Sequence, residues 1–122
     1  MDPMSQSMII PPEWIVEAQV QNFKPTRPGF RCDAGHVLAA LTDIEVPLRN
    51  SGHPLDANGF SHDRMVRLLT GIRDDVSLPA IYIERADPGQ RPYRVREGVH
   101  RYHASVTLGF SHVPVEVVAR MD

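Results

Sequence analysis

Gly98, Val99, His100 and Arg101 stand together in the stretch RVREGVHRYHASVTLGF, Arg94 to Phe110. The stretch begins with strand-like alternation and ends with helical spacing, so Gly98 and Val99 fall where a helix starts. The first amides of a helix have no internal partners, and the helix dipole adds partial positive charge there. A glycine lets an anion approach the backbone. Arg101 adds a planar fork that matches phosphate or carboxylate. His100 can donate a hydrogen bond or move a proton near neutral pH. Together Gly98, Val99, His100 and Arg101 make an anion site, for phosphate above all. The same residues also fit a tight turn with two solvated polar side chains. Glu97, just before the junction, could orient Arg101 or act as a base, or simply face solvent.

Three further groups of polar residues bear on chemistry. The loop GHPLDANG holds His53, Asp56 and Asn58; Asp56 could serve as a base or a Mg²⁺ ligand, or form a turn. His53, His62, His100, His103 and His112 raise the question of a metal, and His100 and His103 are three apart. No cysteine or paired acidic motif accompanies them at zinc spacing, so no protein-held metal is expected. Arg91, Arg94, Arg96 and Arg101 form a local basic cluster, the one feature that favours nucleic acid.

The elements that must position these residues follow from periodicity. Met65, Leu68, Leu69 and Ile72 share one face of a helix over 61–75, with Ser61 as its N-cap. Residues 78–86 read as a strand with Ile81 and Ile83 on one face, followed by a turn at 87–92 and a second strand at 93–97, a hairpin. A helix over 99–108 places Val99, Tyr102 and Val106 together, with Gly109 in the left-handed position past its end and Phe110 folded back. A closing strand covers 113–119. Residues 13–23 read as a strand through Trp14, Val16, Ala18 and Val20, with a short helix as the alternative, and residues 24–36 and 49–59 as loops. Over 37–48 a strand is expected around Ile44–Val46, stopped by Pro47. Mixed strands and helices in this order make an α+β domain with a small mixed sheet and packed helices. Residues 1–12 form a flexible N-terminus and 13–122 a single domain.

Composition agrees. The chain has 122 residues, 42% of them hydrophobic and 23% charged, with net charge -2. That is enough for one core and lacks the basic excess of a protein held on DNA by phosphate contacts. One cysteine, Cys32, excludes an internal disulfide. No run approaches the roughly 20 apolar residues of a membrane helix, and MDPMSQSMII has no basic region, so a cytoplasmic protein with no membrane partner is expected.

YRVREGVHRYHASVTLGFSHVPVEVV resembles the ParB/sulfiredoxin superfamily. Its members carry a strand, an acidic residue and glycine, x-[HR]-R, a helix ending in LG, and a strand starting VPV or IPV. Upstream, Phe60, Leu68, Ile72, Arg73 and Pro79 match the family's helix and strand. The resemblance covers residues 42–119 and leaves an N-terminal extension without a counterpart. It implies a ParB/sulfiredoxin-like fold and carries phosphate binding over to Gly98, His100 and Arg101. Val99 stands where sulfiredoxins have their catalytic cysteine, so sulfinic-acid repair is not expected. Ala57 stands where partition proteins have the arginine of N-P-R. The function implied is binding of ATP or another nucleotide with Mg²⁺, or of another phosphorylated small molecule. If the chain is an enzyme, a nucleotide-dependent phosphotransferase or NTPase is the expected kind, with His100, Glu97 and Asp56 as candidate catalytic residues. The alternatives are a DNA-binding or nuclease-like ParB-type module and a non-catalytic interaction protein.

Overall fold

The computed structural model describes residues 9–33, 36–47, 59–87 and 91–119. The expected loop residues His53, Asp56, Ala57 and Asn58 lie outside them, as do residues 88–90 of the 87–92 turn. The described elements are α1 (Pro12–Glu17), β1 (Val37–Ala40), a 3-10 turn (Leu41–Asp43), α2 (His62–Arg73), β2 (Ile81–Arg85), β3 (Tyr93–Glu97), α3 (Val99–Leu108) and β4 (His112–Val117). The class is α+β, built on a four-stranded mixed sheet of order β1-β4-β2-β3. β2 and β3 form the antiparallel hairpin, β4 returns parallel to β2 after α3, and β1 caps the β4 edge antiparallel.

The strongest periodicities became the elements they imply. Ser61 caps α2 by accepting from the Arg64 amide at 3.4 Å, and Met65, Leu69 and Ile72 are buried. They pack into a core with Ile44, Phe60, Ile81, Ile83 and Val113, each of these five fully buried. Ile81 and Ile83 point inward while Tyr82 is exposed, the alternation expected of a half-buried strand. α3 ends as its sequence suggests. Gly109 sits at φ 92°, its amide bonds back to the Val106 carbonyl, and the Phe110 amide bonds to the Ser105 carbonyl. This closes the last turn and turns Phe110 into the core.

Three expectations are corrected. Residues 13–23 begin as helix α1 rather than a strand. Pro12 pre-sets the first helical turn, and Trp14 and Ala18, four apart, are buried on one side while Val16 is 58% exposed. The apparent alternation through Val16 was therefore not a face. The adjoining Ile10 is also buried in the core. In 37–48 the strand is the first half, Val37–Ala40, paired with β4; Ile44 makes only an isolated bridge to Tyr93. An edge strand tolerates exposed Val37 and Leu38, which obscures the periodicity. On α3, Val106 is 50% exposed, and the buried positions include His100 and His103. Both imidazoles meet the ring of Phe60 edge-on, at 5.4 and 5.3 Å. They fill core positions that hydrophobicity alone assigns to valine. Among the described residues no helix is long and apolar enough to cross a membrane.

Candidate phosphate-binding cleft

The strand-to-helix junction lies where the N-terminal ends of α2 and α3 converge. Gly98 precedes α3 at φ 120°, a backbone conformation that side-chain-bearing residues rarely adopt. A β-carbon there would stand 3.1 Å from Ile81 and 3.2 Å from an Arg101 nitrogen. Gly98 thus makes room for the guanidinium as well as for the turn.

His100 holds the two helix ends together. It is 5% exposed, and its Nε2 accepts the backbone N–H of Ser61 at 2.9 Å. A nitrogen accepting from an amide carries no proton of its own, so this edge of the ring positions α2 against α3 rather than donating to a ligand. His103 is likewise built in, its Nε2 3.0 Å from the Pro47 carbonyl. These are core histidines, not scattered surface ones. Among the described residues no group of three or more histidine, cysteine or acidic side chains could hold a metal.

Arg101 is tucked under the same junction. One terminal nitrogen donates to the Ala80 carbonyl at 3.1 Å, while Nε is buried without a hydrogen-bond partner. Burial pulls its pKa down; the charge of Glu97 opposes that, and the like charge of Arg64 adds to it. Glu97 itself is exposed and lines a separate shallow cavity with Tyr82 and Arg96. It acts on Arg101 through its field, and among the described residues no ion pair joins the two.

Beside Arg101 opens a cleft of about 430 Å³, lined by Ser61, Asp63, Arg64, Arg67, His100 and Arg101, with Leu68 and Leu78 as its apolar wall. Among the described residues neither Arg64 nor Arg67 has an ion-pair partner, so three guanidiniums share one cleft with the single carboxylate of Asp63. Sequence reading missed Arg64 and Arg67. Their signal was the i, i+3 spacing with Leu68 on the α2 flank nearest its N-cap, which places both on one side of the helix.

The other basic cluster is consumed internally. Arg94 and Arg96 bind Glu84 at 2.6 and 3.0 Å, and Arg91 donates to the Ile44 carbonyl at 3.0 Å. The two ion pairs hold the Glu84 carboxyl below its ordinary range, the Arg94 bond most strongly. These cations therefore offer less to a nucleic acid than their number suggests. Cys32, remote in sequence, lies one bridge away from the cleft wall at Leu78. It bridges Leu78 on the segment leading to Ala80, and its thiol and Arg101 feel each other's charge.

The chain matches no protein-family model and no curated protein. Among solved structures it is similar to the C-terminally truncated chromosome-partitioning protein ParB from Caulobacter crescentus complexed with CTP-gamma-S. The TM-score is 0.53 and the identity 22%, over 73% of this chain and 47% of that one. The same truncated protein complexed to the centromeric parS site aligns at TM-score 0.47 and 21% identity, over 70% of this chain and 40% of that one. The fold is ParB-like, and this chain spans about half of the first of these structures.

Proposed function

We propose that this chain binds a nucleotide, or another phosphorylated small molecule, in the cleft between the starts of α2 and α3. The observation that carries the reading is the convergence of Arg64, Arg67 and Arg101 with one acid among them, Arg101 keeping a buried Nε unsatisfied. Like charges gathered at a helix start lose their repulsion when an anion enters, and an unpaired buried donor gains a partner. The ParB of similar fold was solved with a CTP analogue, which agrees with this reading without fixing the base. A Mg²⁺ ion arriving with the nucleotide needs few protein ligands, and Asp63 is the carboxylate that lines the cleft. The supported function is binding. Phosphoryl transfer would need a base; Glu97 faces a separate cavity and His100 Nε2 is committed to Ser61, which leaves Asp56 as the candidate.

The test is calorimetric titration with CTP, ATP and ADP in the presence of Mg²⁺, beside thermal melts. Arg101→Ala should weaken binding by about 1.5–3 kcal/mol, the usual worth of a hydrogen bond to a charged group. Arg101→Lys should fall between it and the parent, since it keeps the charge without the fork. Arg101→Ala should also lower the ligand-free melting temperature, because the Ala80 carbonyl loses its donor. The ligand-dependent gain in melting temperature is therefore the discriminating readout. A parent that gives no heat and no thermal gain with any nucleotide refutes the proposal.

A further inference from the structure

A second cavity, of about 310 Å³, lies at the other end of α2 and shares no lining residue with the cleft. Its walls come from the loop between Phe23 and Arg31, from the end of α2 at Ile72 to Asp75, and from Phe110 after α3. Phe30, Ile72 and Phe110 are buried, and the half-buried Phe23 ring lies 5.7 Å from that of Phe110, so the inner side is apolar. Lys24, Arg27, Arg31 and Arg73 are exposed and form the rim. The loop is pinned on both sides. The Pro28 carbonyl accepts the Ser111 and His112 amides at 3.2 and 3.0 Å, and the Arg31 carbonyl accepts the Leu78 amide at 2.9 Å. A β-carbon on Gly29 would stand 3.1 Å from the His112 carbonyl oxygen, so glycine lets the loop lie this close to β4. The cavity is therefore preformed, as ligand sites usually are.

The charges around it are unequal. Arg73 is already engaged, meeting Asp74 at 2.9 and 3.2 Å and the Ala18 carbonyl at 3.0 Å. That leaves Lys24, Arg27 and Arg31 facing one carboxylate, Asp75. Among the described residues Lys24 has no ion-pair partner. Both arginine contacts, at 3.2 and 3.4 Å, fall on the same oxygen, Asp75 Oδ2, and both guanidiniums stay about half exposed. A guanidinium has five donors and binds a carboxylate best through two parallel bonds, an arrangement that neither arginine uses here. Asp75 reaches them from a left-handed backbone, φ 59°, which aspartate and asparagine tolerate better than most residues. The fold thus holds a carboxylate of its own, by single loose contacts, beside an apolar recess.

We propose that this cavity binds a small carboxylate with an apolar body, an aryl or branched aliphatic acid. The ligand's carboxylate takes the donors that Asp75 leaves open on Arg27 and Arg31, with Lys24 adding a third cation. Its apolar body lies against Phe23, Phe30 and Phe110. The planar carboxylate is the anion these arginines already hold in Asp75. A bare inorganic anion would leave the recess empty. The volume, at the lower limit of ligand pockets, suits one ring or branched chain rather than a whole nucleotide. Asp75 is then an internal competitor, the side chain that keeps the cations paired until the ligand arrives.

The experiment titrates the labelled chain with 3-phenylpropionate, its neutral amide and acetate, and follows backbone amide signals by NMR. Phenylpropionate should bind saturably, with a dissociation constant of about 1 mM or tighter, the scale set by its few heavy atoms. The shifted signals should be those of residues 23–31 and 72–75. The neutral amide should bind about tenfold or more weakly, the scale of a lost charge-assisted hydrogen bond. Acetate, which has the charge without the body, should also bind more weakly. The double variant Lys24→Ala with Arg27→Ala should lose about tenfold or more. Asp75→Asn keeps a residue that tolerates the left-handed backbone and removes the competing charge, so it should tighten binding severalfold. A purely structural ion pair would give no such gain. Circular dichroism checks folding; if Asp75→Asn does not fold, the double variant and the neutral amide decide the matter. No saturable shift with phenylpropionate overturns the proposal, as do shifts confined to residues 61–68 of the cleft. Equal binding of acid and amide, or parental affinity in the folded double variant, overturns it too. So does weaker binding in folded Asp75→Asn, or displacement of phenylpropionate by CTP with Mg²⁺.

Discussion

The same substitution, glycine to alanine, should have opposite effects at Gly98 and Gly71. At Gly98 the backbone sits at φ 120°, and the added β-carbon would meet two Ile81 carbons at 3.1 Å and an Arg101 nitrogen at 3.2 Å. Ile81 is fully buried and cannot give way, and the Arg101 nitrogen is tied to the Ala80 carbonyl. A residue forced into such a conformation costs about 1–3 kcal/mol, and overpacking a full core costs about as much again. The sum is roughly 2–6 kcal/mol, a large part of the stability of a domain this size. At about 3–5 °C per kcal/mol, intermediate between smaller and larger domains, the melting temperature should fall by about 6 °C at the least. Gly71 lies inside α2, where an added β-carbon would meet only Leu78 and Val76 at an ordinary 3.8 Å. Alanine there should stabilise by about 0.5–1 kcal/mol, because it restricts the unfolded chain and suits a helix. Thermal and urea denaturation followed by circular dichroism measures both. If Gly98→Ala melts within about 1 °C of the parent, or Gly71→Ala is the more damaging variant, the account of the junction is wrong. Gly98→Ala should also displace the Arg101 guanidinium, so a variant that stays folded should lose nucleotide affinity.

Leu69 is fully buried on α2, and Leu69→Ala should cost about 2–5 kcal/mol in urea unfolding, while truncation of the exposed Val106 should cost far less. His62 joins α1 to α2. Hydrogen bonds with Glu17 at 2.9 Å and Asp63 at 3.0 Å hold its pKa above 6.5. A group raised in the folded state stabilises fully below its unfolded value and loses that contribution as pH rises through its folded value. Stability measured from pH 5 to 8 should therefore decline above about 6.5 by an amount that Glu17→Gln reduces; an unchanged pH profile in that variant would contradict the assignment.

Local rules were enough wherever one residue type had one good use. The α2 stripe of Met65, Leu69 and Ile72, its Ser61 cap, the alternation of Ile81 and Ile83, and the Gly109 stop each follow from geometry within a few residues. The sequence by itself therefore determined the α+β class, the hairpin, and the position of Gly98 and Arg101 at a helix start. Only tertiary structure decided what those residues face. Whether His100 meets solvent or the Ser61 amide depends on a partner 39 positions away. Whether Arg94 and Arg96 are available cations depends on Glu84 across the hairpin. Arg64 and Arg67 belong to the cleft because α2 packs beside α3, and Cys32 feels the charge of Arg101 because its segment bridges Leu78. Sequence spacing sets which side of an element a side chain leaves from. Charge pairing, burial and proton position are set by whichever group the folded chain brings opposite it, and most of those groups here are distant in sequence.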